Sequence, residues 1–339
     1  MSNVRFAATT RDNIWGTLGT SVAGADTAAN VFERAGLANW NVRKTPAYFM
    51  TDPVITEDGV SPAVPVQVPD KFATIYDDPI TGTVKPLGVV GKVWHPIQNE
   101  ESALLLDTLA GESGADFQVA GSMRDGRDVF VTMQMPDHLR VMTSDGVVDP
   151  IGLNIVALNS HDGTSSFRIL ITPIRLACMN QQRVAKSMAV SSVSIRHTRN
   201  AGDAIREVRH ALGLVSVYAE HFTATAQDLA DTRMSFEESA RFFHALTRSN
   251  EEGIAPSTKT QREALAHNIW INHRETETLQ PELRQTRWGA YQAITEWADH
   301  LAPVTRSRGA DAATRRATRI AQGGAGEELK ERAWELLTV

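Results

Sequence analysis

Residues 117–135 read FQVAGSMRDGRDVFVTMQM, and residues 152–172 read GLNIVALNSHDGTSSFRILIT. Each stretch is two apolar runs, rich in β-branched and aromatic side chains, broken by a short polar segment. In the first the break is Arg124-Asp125-Gly126, and in the second it is His161-Asp162-Gly163-Thr164. Asp-Gly between strand-like runs supplies the left-handed backbone that a tight reversal needs, so each stretch reads as a β-hairpin. Two such hairpins in succession predict a sheet that is mainly antiparallel.

Working outward, Phe72–Tyr76 and Leu87–His95 are further strand candidates, with Thr81-Gly82 as the turn between them. Glu100 to Leu109 reads as a helix with Leu104, Leu105 and Leu109 on its apolar side. Residues 51–70 hold Pro53, Pro62, Pro65 and Pro69 and read as a Pro-rich inserted loop. Residues 1–30, rich in Ala, Thr, Gly and Asn with little periodicity, read as a flexible arm with room for a short helix.

After Pro173 the pattern turns helical. Ile205, Val208, Leu212, Val215, Ala219, Phe222, Ala226 and Leu229 recur at spacings of three and four, a seam of the coiled-coil type. It packs within the chain or against a second copy; the spacing alone leaves both open. Ser235-x-x-Glu238 is a capping box that starts another helix. Thr258 to His273 is helical, and so is Pro281 to Leu301, where Trp288, Tyr291, Ile294, Trp297 and Leu301 form a stripe best read as core. Glu327 to Leu337 is the last helix. The expected fold is α+β: a mainly antiparallel, hairpin-built sheet with flanking helices, followed by a helical C-terminal half. The expected organisation is an arm at 1–30, an α+β core at 31–202, a helical region at 203–302, and a basic linker with a final helix at 303–339.

The charge is uneven. The net value is −6, which disfavours a protein that coats nucleic acid with its whole surface. Yet no Asp or Glu occurs from Gly163 to Gly202, where Arg168, Arg175, Arg183, Lys186, Arg196 and Arg199 all fall. A second basic run holds Arg306, Arg308, Arg315, Arg316 and Arg319, opposed only by Asp311. These runs are either solvated balance for the acidic residues 51–150 or an anion-binding face. The single cysteine, Cys178, excludes an intrachain disulfide and a thiolate zinc site. No apolar run is long enough to span a bilayer, so the expected setting is cytoplasmic with no membrane partner.

Chemical motifs are sparse. A Gly-x-x-x-x-Gly-Lys-Ser/Thr loop, a dinucleotide fingerprint, His-Glu-x-x-His and Gly-x-Ser-x-Gly are all missing. His161-Asp162 invites an acid/base or metal reading. Against it, neighbours on extended chain point to opposite faces, and Asp-Gly already has a turn to make. Cys178, among Ile174, Leu176 and Ala177, reads as a small buried hydrophobe. Gly323-Gly324-Ala325-Gly326 before Glu327-Glu328 reads as a linker with acidic helix capping rather than a phosphate cradle, since two carboxylates in the first turn repel phosphate. No catalytic residue, metal or cofactor is assigned from these patterns.

Asn159-Ser160-His161-Asp162-Gly163 followed by Thr172-Pro173-Ile174-Arg175-Leu176-Ala177-Cys178-Met179-Asn180 resembles the phage/plasmid-like protein family, also known as domain of unknown function 932. Trp40-Asn41-Val42, Gly121-Ser122-Met123 with Gly126-Arg127, and Trp288-Gly289-Ala290-Tyr291 with Glu296-Trp297-Ala298-Asp299-His300 agree with it. Leu176-Ala177 replaces a pair of valines, and Gln181 stands where Thr is usual. The resemblance implies a mobile-element setting and no proven reaction; the order of elements is also similar to phage single-strand annealing proteins of the Redβ and Erf type. The resulting expectation is a non-enzymatic, homo-oligomeric protein that binds and anneals single-stranded DNA through Arg168, Arg175, Arg183, Lys186, Arg196 and Arg199. The alternatives are a protein-interaction factor of a mobile element using the seam 205–229, a host-defence antagonist or replication accessory, and a metal-dependent nuclease using His161 and Asp162.

Overall fold

Both hairpins form where the Asp-Gly turns place them. A computed structural model describes residues 14–56, 59–142, 146, 148–175, 180–181, 192–195, 219–304, 311–321 and 325–339. Strands β7 (Asp116–Met123) and β8 (Asp128–Met142) flank the first turn, and β9 (Val148–Ser160) and β10 (Phe167–Arg175) flank the second. β8 and β9 also pair, so the hairpins merge into one antiparallel sheet of order β1-β7-β8-β9-β10-β11. Here β1 is Thr20–Ser21, β11 is Asn180–Gln181, and β12 (Ser192–Ile195) pairs with β10. A smaller sheet has the order β2-β5-β6, from Arg43–Met50, Pro65–Asp77 and Val84–Gly91, and β3 (Val54–Thr56) pairs with β4 (Gly59–Ser61). The architecture is α+β, with sheets in the N-terminal half and helices mainly in the C-terminal half.

Strand alternation splits the core. On one face of the large sheet, Val129, Val131, Ile155, Ala157, Phe167 and Ile169 pack against α2 (Ala28–Arg34) and α3 (Ala103–Ser113). On the other face, Phe130, Val156 and Leu158 meet α1 (Ile14–Leu18) and α9 (Ala312–Ala321) through Ile14, Trp15, Ala317 and Ile320. The far ends of β8 and β9 carry Val141, Ile151 and Leu153 into the helical half. That half comprises the helical run 219–231, which we label α4, then α5 (Phe236–Thr247), α6 (Pro256–Glu275), α7 (Pro281–Arg284), α8 (Arg287–Glu296) and α10 (Ala325–Leu337). The Trp288 indole N–H donates to the buried Asp149 carboxylate of β9 at 2.8 Å, which fixes the helices to the sheet.

Several expectations change. Residues 14–30, expected in a flexible arm, are built in: Trp15 is buried against Phe130, and β1 pairs with β7. A short segment with two large apolar side chains is fixed by tertiary burial although its own periodicity is weak. The Pro-rich insertion at 51–70 is largely strand. Pro65 opens β5, and Pro69 falls where β5 bulges between the partners of Pro46 and Tyr48, places at which a missing N–H breaks no ladder bond. The strand after Thr81-Gly82 ends at Gly91 rather than His95. The stripe from Trp288 holds as core through Ile294, but Leu301 is exposed. A π-helical turn over Trp297–Leu301 changes the residues per turn and rotates Leu301 out of phase.

The capping box forms as expected, with Ser235 and Glu238 exchanging side-chain to backbone bonds. Of the seam, residues 205–218 lie outside the described residues; Phe222, Ala226 and Leu229 are fully buried in the helical core, so this part packs within the chain. Glu327 does not cap in water. It is buried and, with Asp299, grips the fully buried Lys330 at 2.8 and 2.5 Å.

Candidate anion-binding site

The two turns meet at one end of the large sheet. Arg124, Asp125 and Gly126 all take positive φ (52°, 57° and 86°), the left-handed path that an Asp-Gly turn permits. A Cβ on Gly126 would stand 3.3 Å from the Trp40 ring. This turn aims Arg124 sideways at the second hairpin, where its guanidinium pairs with Asp162; it also lies 3.3 Å from Asp128.

Asp162 is fully committed. Its Oδ1 accepts from Ser160 Oγ (2.8 Å), Thr164 Oγ1 (2.6 Å) and Thr164 N (3.0 Å), and its Oδ2 takes Arg124. His161 points the other way. It is fully buried, its Nε2 donates to Asn99 Oδ1 at 3.0 Å, and its ring lies 6.0 Å from Trp40. Asn159 Nδ2 donates to Ile97 O nearby. The Asn-Ser-His-Asp-Gly motif thus ties the second hairpin to the 97–99 segment on one side and to the first hairpin on the other. The nuclease alternative needs His161 and Asp162 on one reactant, and in the turn each is held by its own partners, His161 by Asn99 and Asp162 by Arg124, Ser160 and Thr164. Among the described residues no three His, Cys, Asp or Glu side chains gather to hold a metal.

Beside this fastener opens a pocket of about 500 Å³. Arg124, Asp128, Ser160, Thr164, Ser165, Ser166 and Arg168 supply its polar wall, and Met123, Leu158 and Ala321 its apolar one. Arg168, second residue of β10, projects on the face that α9 covers. Its Nε is buried and has no hydrogen-bond partner among the described residues. Burial raises the Asp128 carboxyl above the ordinary range, against the pull of Arg124, a Ser160 hydrogen bond, Arg168 and Arg127. The wall is therefore two guanidiniums and four hydroxyls around one carboxyl that resists ionisation.

α9, which carries Arg315, Arg316 and Arg319 of the second basic run, borders the pocket through Ala321 rather than through an arginine. Its Ala317 and Ile320 are buried on the sheet face. On the helix, Arg316 donates to Ala302 O (3.2 Å) and Arg319 to Pro303 O (3.1 Å), cations on carbonyls just after the π-helical turn. The Nε atoms of both arginines are buried with no hydrogen-bond partner among the described residues.

The match with known families falls on this region. The family model described as "Domain of unknown function (DUF932)" matches residues 86–321, more than half of the chain. The chain belongs to the DUF932 family. Both hairpins, the Asn-Ser-His-Asp-Gly fastener and α9 lie inside the matched segment, whereas β2 to β5 precede it. No curated protein and no solved structure matches the chain.

Of the six basic residues taken from the sequence of this DUF932 protein, Arg168 lies in the pocket. Arg175 is the last residue of β10, seven positions on and about 23 Å along an extended strand. Arg183, Lys186, Arg196 and Arg199 lie outside the described residues. Arg124 and Asp128 were legible as turn and strand start but not as partners of Arg168, because the sheet register sets that contact. The run from Arg306 to Arg319 carried the signal for α9, though not its destination.

Proposed function

We propose that this DUF932 protein binds single-stranded nucleic acid on the sheet face under α9 and anneals complementary strands without acting as an enzyme. One observation carries the reading: Arg124 of the first hairpin and Arg168 of the second line one pocket together with the hydroxyls of Ser160, Thr164, Ser165 and Ser166. Clustered guanidiniums with hydroxyl donors suit phosphate oxygens, which accept bidentate Arg contacts. The stretch from Gly163 to Gly202, which includes Arg168, holds no Asp or Glu that would repel a phosphate backbone.

Annealing in this reading needs no nucleotide hydrolysis. The protein screens the repulsion between strands and holds them extended while base pairing supplies the free energy. The mobile-element setting and the likeness to Redβ- and Erf-type proteins belong to the same proposal. Fluorescence anisotropy with labelled single and double strands over a salt series tests it. Tight, steeply salt-dependent binding that prefers single strands supports it; no binding at low salt overturns it. A quench assay of strand annealing, run with and without ATP and EDTA, then separates screening from catalysis. Strict ATP dependence, or cleavage abolished by EDTA, overturns the non-enzymatic mechanism.

A further inference from the structure

We propose that the ribbon formed by the outer halves of β2 and β5, with the β3–β4 hairpin, is a homotypic dimer surface in which β2 pairs antiparallel with β2 of a second copy. This inference is independent of the nucleic-acid reading.

β2 is an edge strand of the small sheet. Beyond the irregularity between Pro46 and Tyr48, β2 and β5 run as a two-stranded ribbon, pairing Tyr48 with Gln67, Phe49 with Val66 and Met50 with Pro65. Tyr48, Phe49 and Met50 are 57%, 53% and 60% exposed. Consecutive strand residues point to opposite faces, so both faces of the ribbon stand in water. Val54, Ile55, Val60, Val64 and Val66 add to the same exposed set, with Ile55 at 83%. A two-stranded ribbon with neither face covered is marginal in water. These eight residues leave apolar side chains exposed on both faces of one ribbon, a concentration beyond the singly scattered hydrophobics of an ordinary monomer surface.

The charge pattern selects the occupant. A two-fold axis sets side chains near the axis against their own copies, so any charge there repels itself. Thr45 to Thr51 carry no charge, and no Lys or Arg occurs from Thr45 to Val68. Solvent-facing edge strands are ordinarily protected by Lys, Pro or a bulge; β2 has Pro46 and the irregularity beside it, but from Tyr48 to Thr51 the edge carries none of these. Pairing β2 with its copy would join two three-stranded sheets into one of six strands, give the Tyr48–Met50 edge its missing ladder partners and set the apolar side chains of the two ribbons side by side. The ribbon precedes the segment matched by the family model, so this surface is a feature of this chain rather than of the DUF932 match.

Sedimentation of the full chain over a micromolar concentration series, without nucleic acid, is the first test. The expected mass approaches twice the 37.1 kDa of one chain. Tyr48→Lys and Tyr48→Glu, each checked by circular dichroism, are expected to raise the dissociation constant by about tenfold or more (about 1.4 kcal/mol). Mixing the two variants in equal amounts restores the dimer, because opposite charges then meet across the axis. A wild-type monomer throughout the series overturns the proposal and leaves the ribbon to a partner of another sequence. So do variants as dimeric as wild type, or a mixture that stays monomeric. If either charged variant misfolds, Tyr48→Cys in a Cys178→Ser background decides. Oxidation is expected to give a disulfide-linked dimer, whereas Ile80→Cys, exposed on the β5–β6 turn, gives none; the reverse pattern sinks the idea.

Discussion

Two clusters of charge in this protein have similar ingredients and opposite settings. At Lys330, one ammonium meets two carboxylates, Asp299 and Glu327, with all three side chains buried. Burial pulls the Lys330 pKa down, but the two carboxylates outweigh it and leave it raised. At Arg168, the wall of an open pocket holds two guanidiniums and the Asp128 carboxyl, and one of the guanidiniums, Arg124, is already paired with Asp162. The first cluster has its counter-charges supplied from within and no room to exchange them. The second has access to solvent, an Arg168 whose Nε has no hydrogen-bond partner among the described residues, and an acid that holds its proton more tightly than usual. Closed clusters of this kind hold helices together; open ones with an unsatisfied guanidinium donor can take a ligand.

The largest expected effect breaks the closed cluster. Lys330→Met leaves two buried carboxylates facing one another and is expected to destabilise the chain by about 3–5 kcal/mol in urea titration. A change below about 1 kcal/mol, the level of an exposed pair, would remove the distinction between the clusters.

The helical half also keeps His273 buried and neutral. Its Nδ1 lies 3.2 Å from Ser239 Oγ and its Nε2 donates to Arg284 O at 2.6 Å. Burial lowers its pKa to about 4, the Arg284 carbonyl opposing and the Arg284 charge assisting. Between pH 4 and 6.5 the unfolded chain binds the proton that the folded chain refuses, so stability falls as pH drops through that window. The loss amounts to as much as about 3 kcal/mol by pH 4. Thermal unfolding of wild type and His273→Gln across this range checks it; parallel pH profiles would assign the acid sensitivity elsewhere.

Smaller effects belong to the open cluster. Arg168→Ala is expected to weaken single-strand binding several-fold and to flatten the dependence of log affinity on log salt by about 0.7, one phosphate contact. Unfolding midpoints should hardly move, since Arg168 has surplus donors. An unchanged slope shifts the contact to α9, where Arg315→Ala is the next variant.

Asp128→Asn is expected to have the smallest effect and the most diagnostic sign. The folded-state pKa is raised, so the native chain loses stability as pH rises above the ordinary Asp range. Removing the charge should therefore stabilise the protein slightly at neutral pH and strengthen anion binding together. For the same reason, wild-type anion affinity should rise as the solution is acidified toward that range, and the Asn variant should not follow. Weaker binding by Asp128→Asn would show that the carboxylate orients Arg168 rather than opposing the ligand.

The two hairpins, their turns, the capping box and most of the Trp288 stripe were legible in the chain because each depends on neighbours within a few residues. The same holds for the two basic runs and for the Asn-Ser-His-Asp-Gly motif that carries the family. Other features were invisible for the converse reason. Arg124, Asp128 and Arg168 share a wall only because β8–β9 and β9–β10 pair in one register, and α9 roofs it only because Ala317 and Ile320 find Leu158 and Phe130. The Glu327-x-x-Lys330 pattern does not reveal that Lys330 is buried, and a proline count did not reveal that Pro65 and Pro69 occupy positions in β5 where no N–H is required. Local backbone preference was written in the sequence; which side chains met, and which stayed uncovered on the β2–β5 ribbon, was decided by long-range packing.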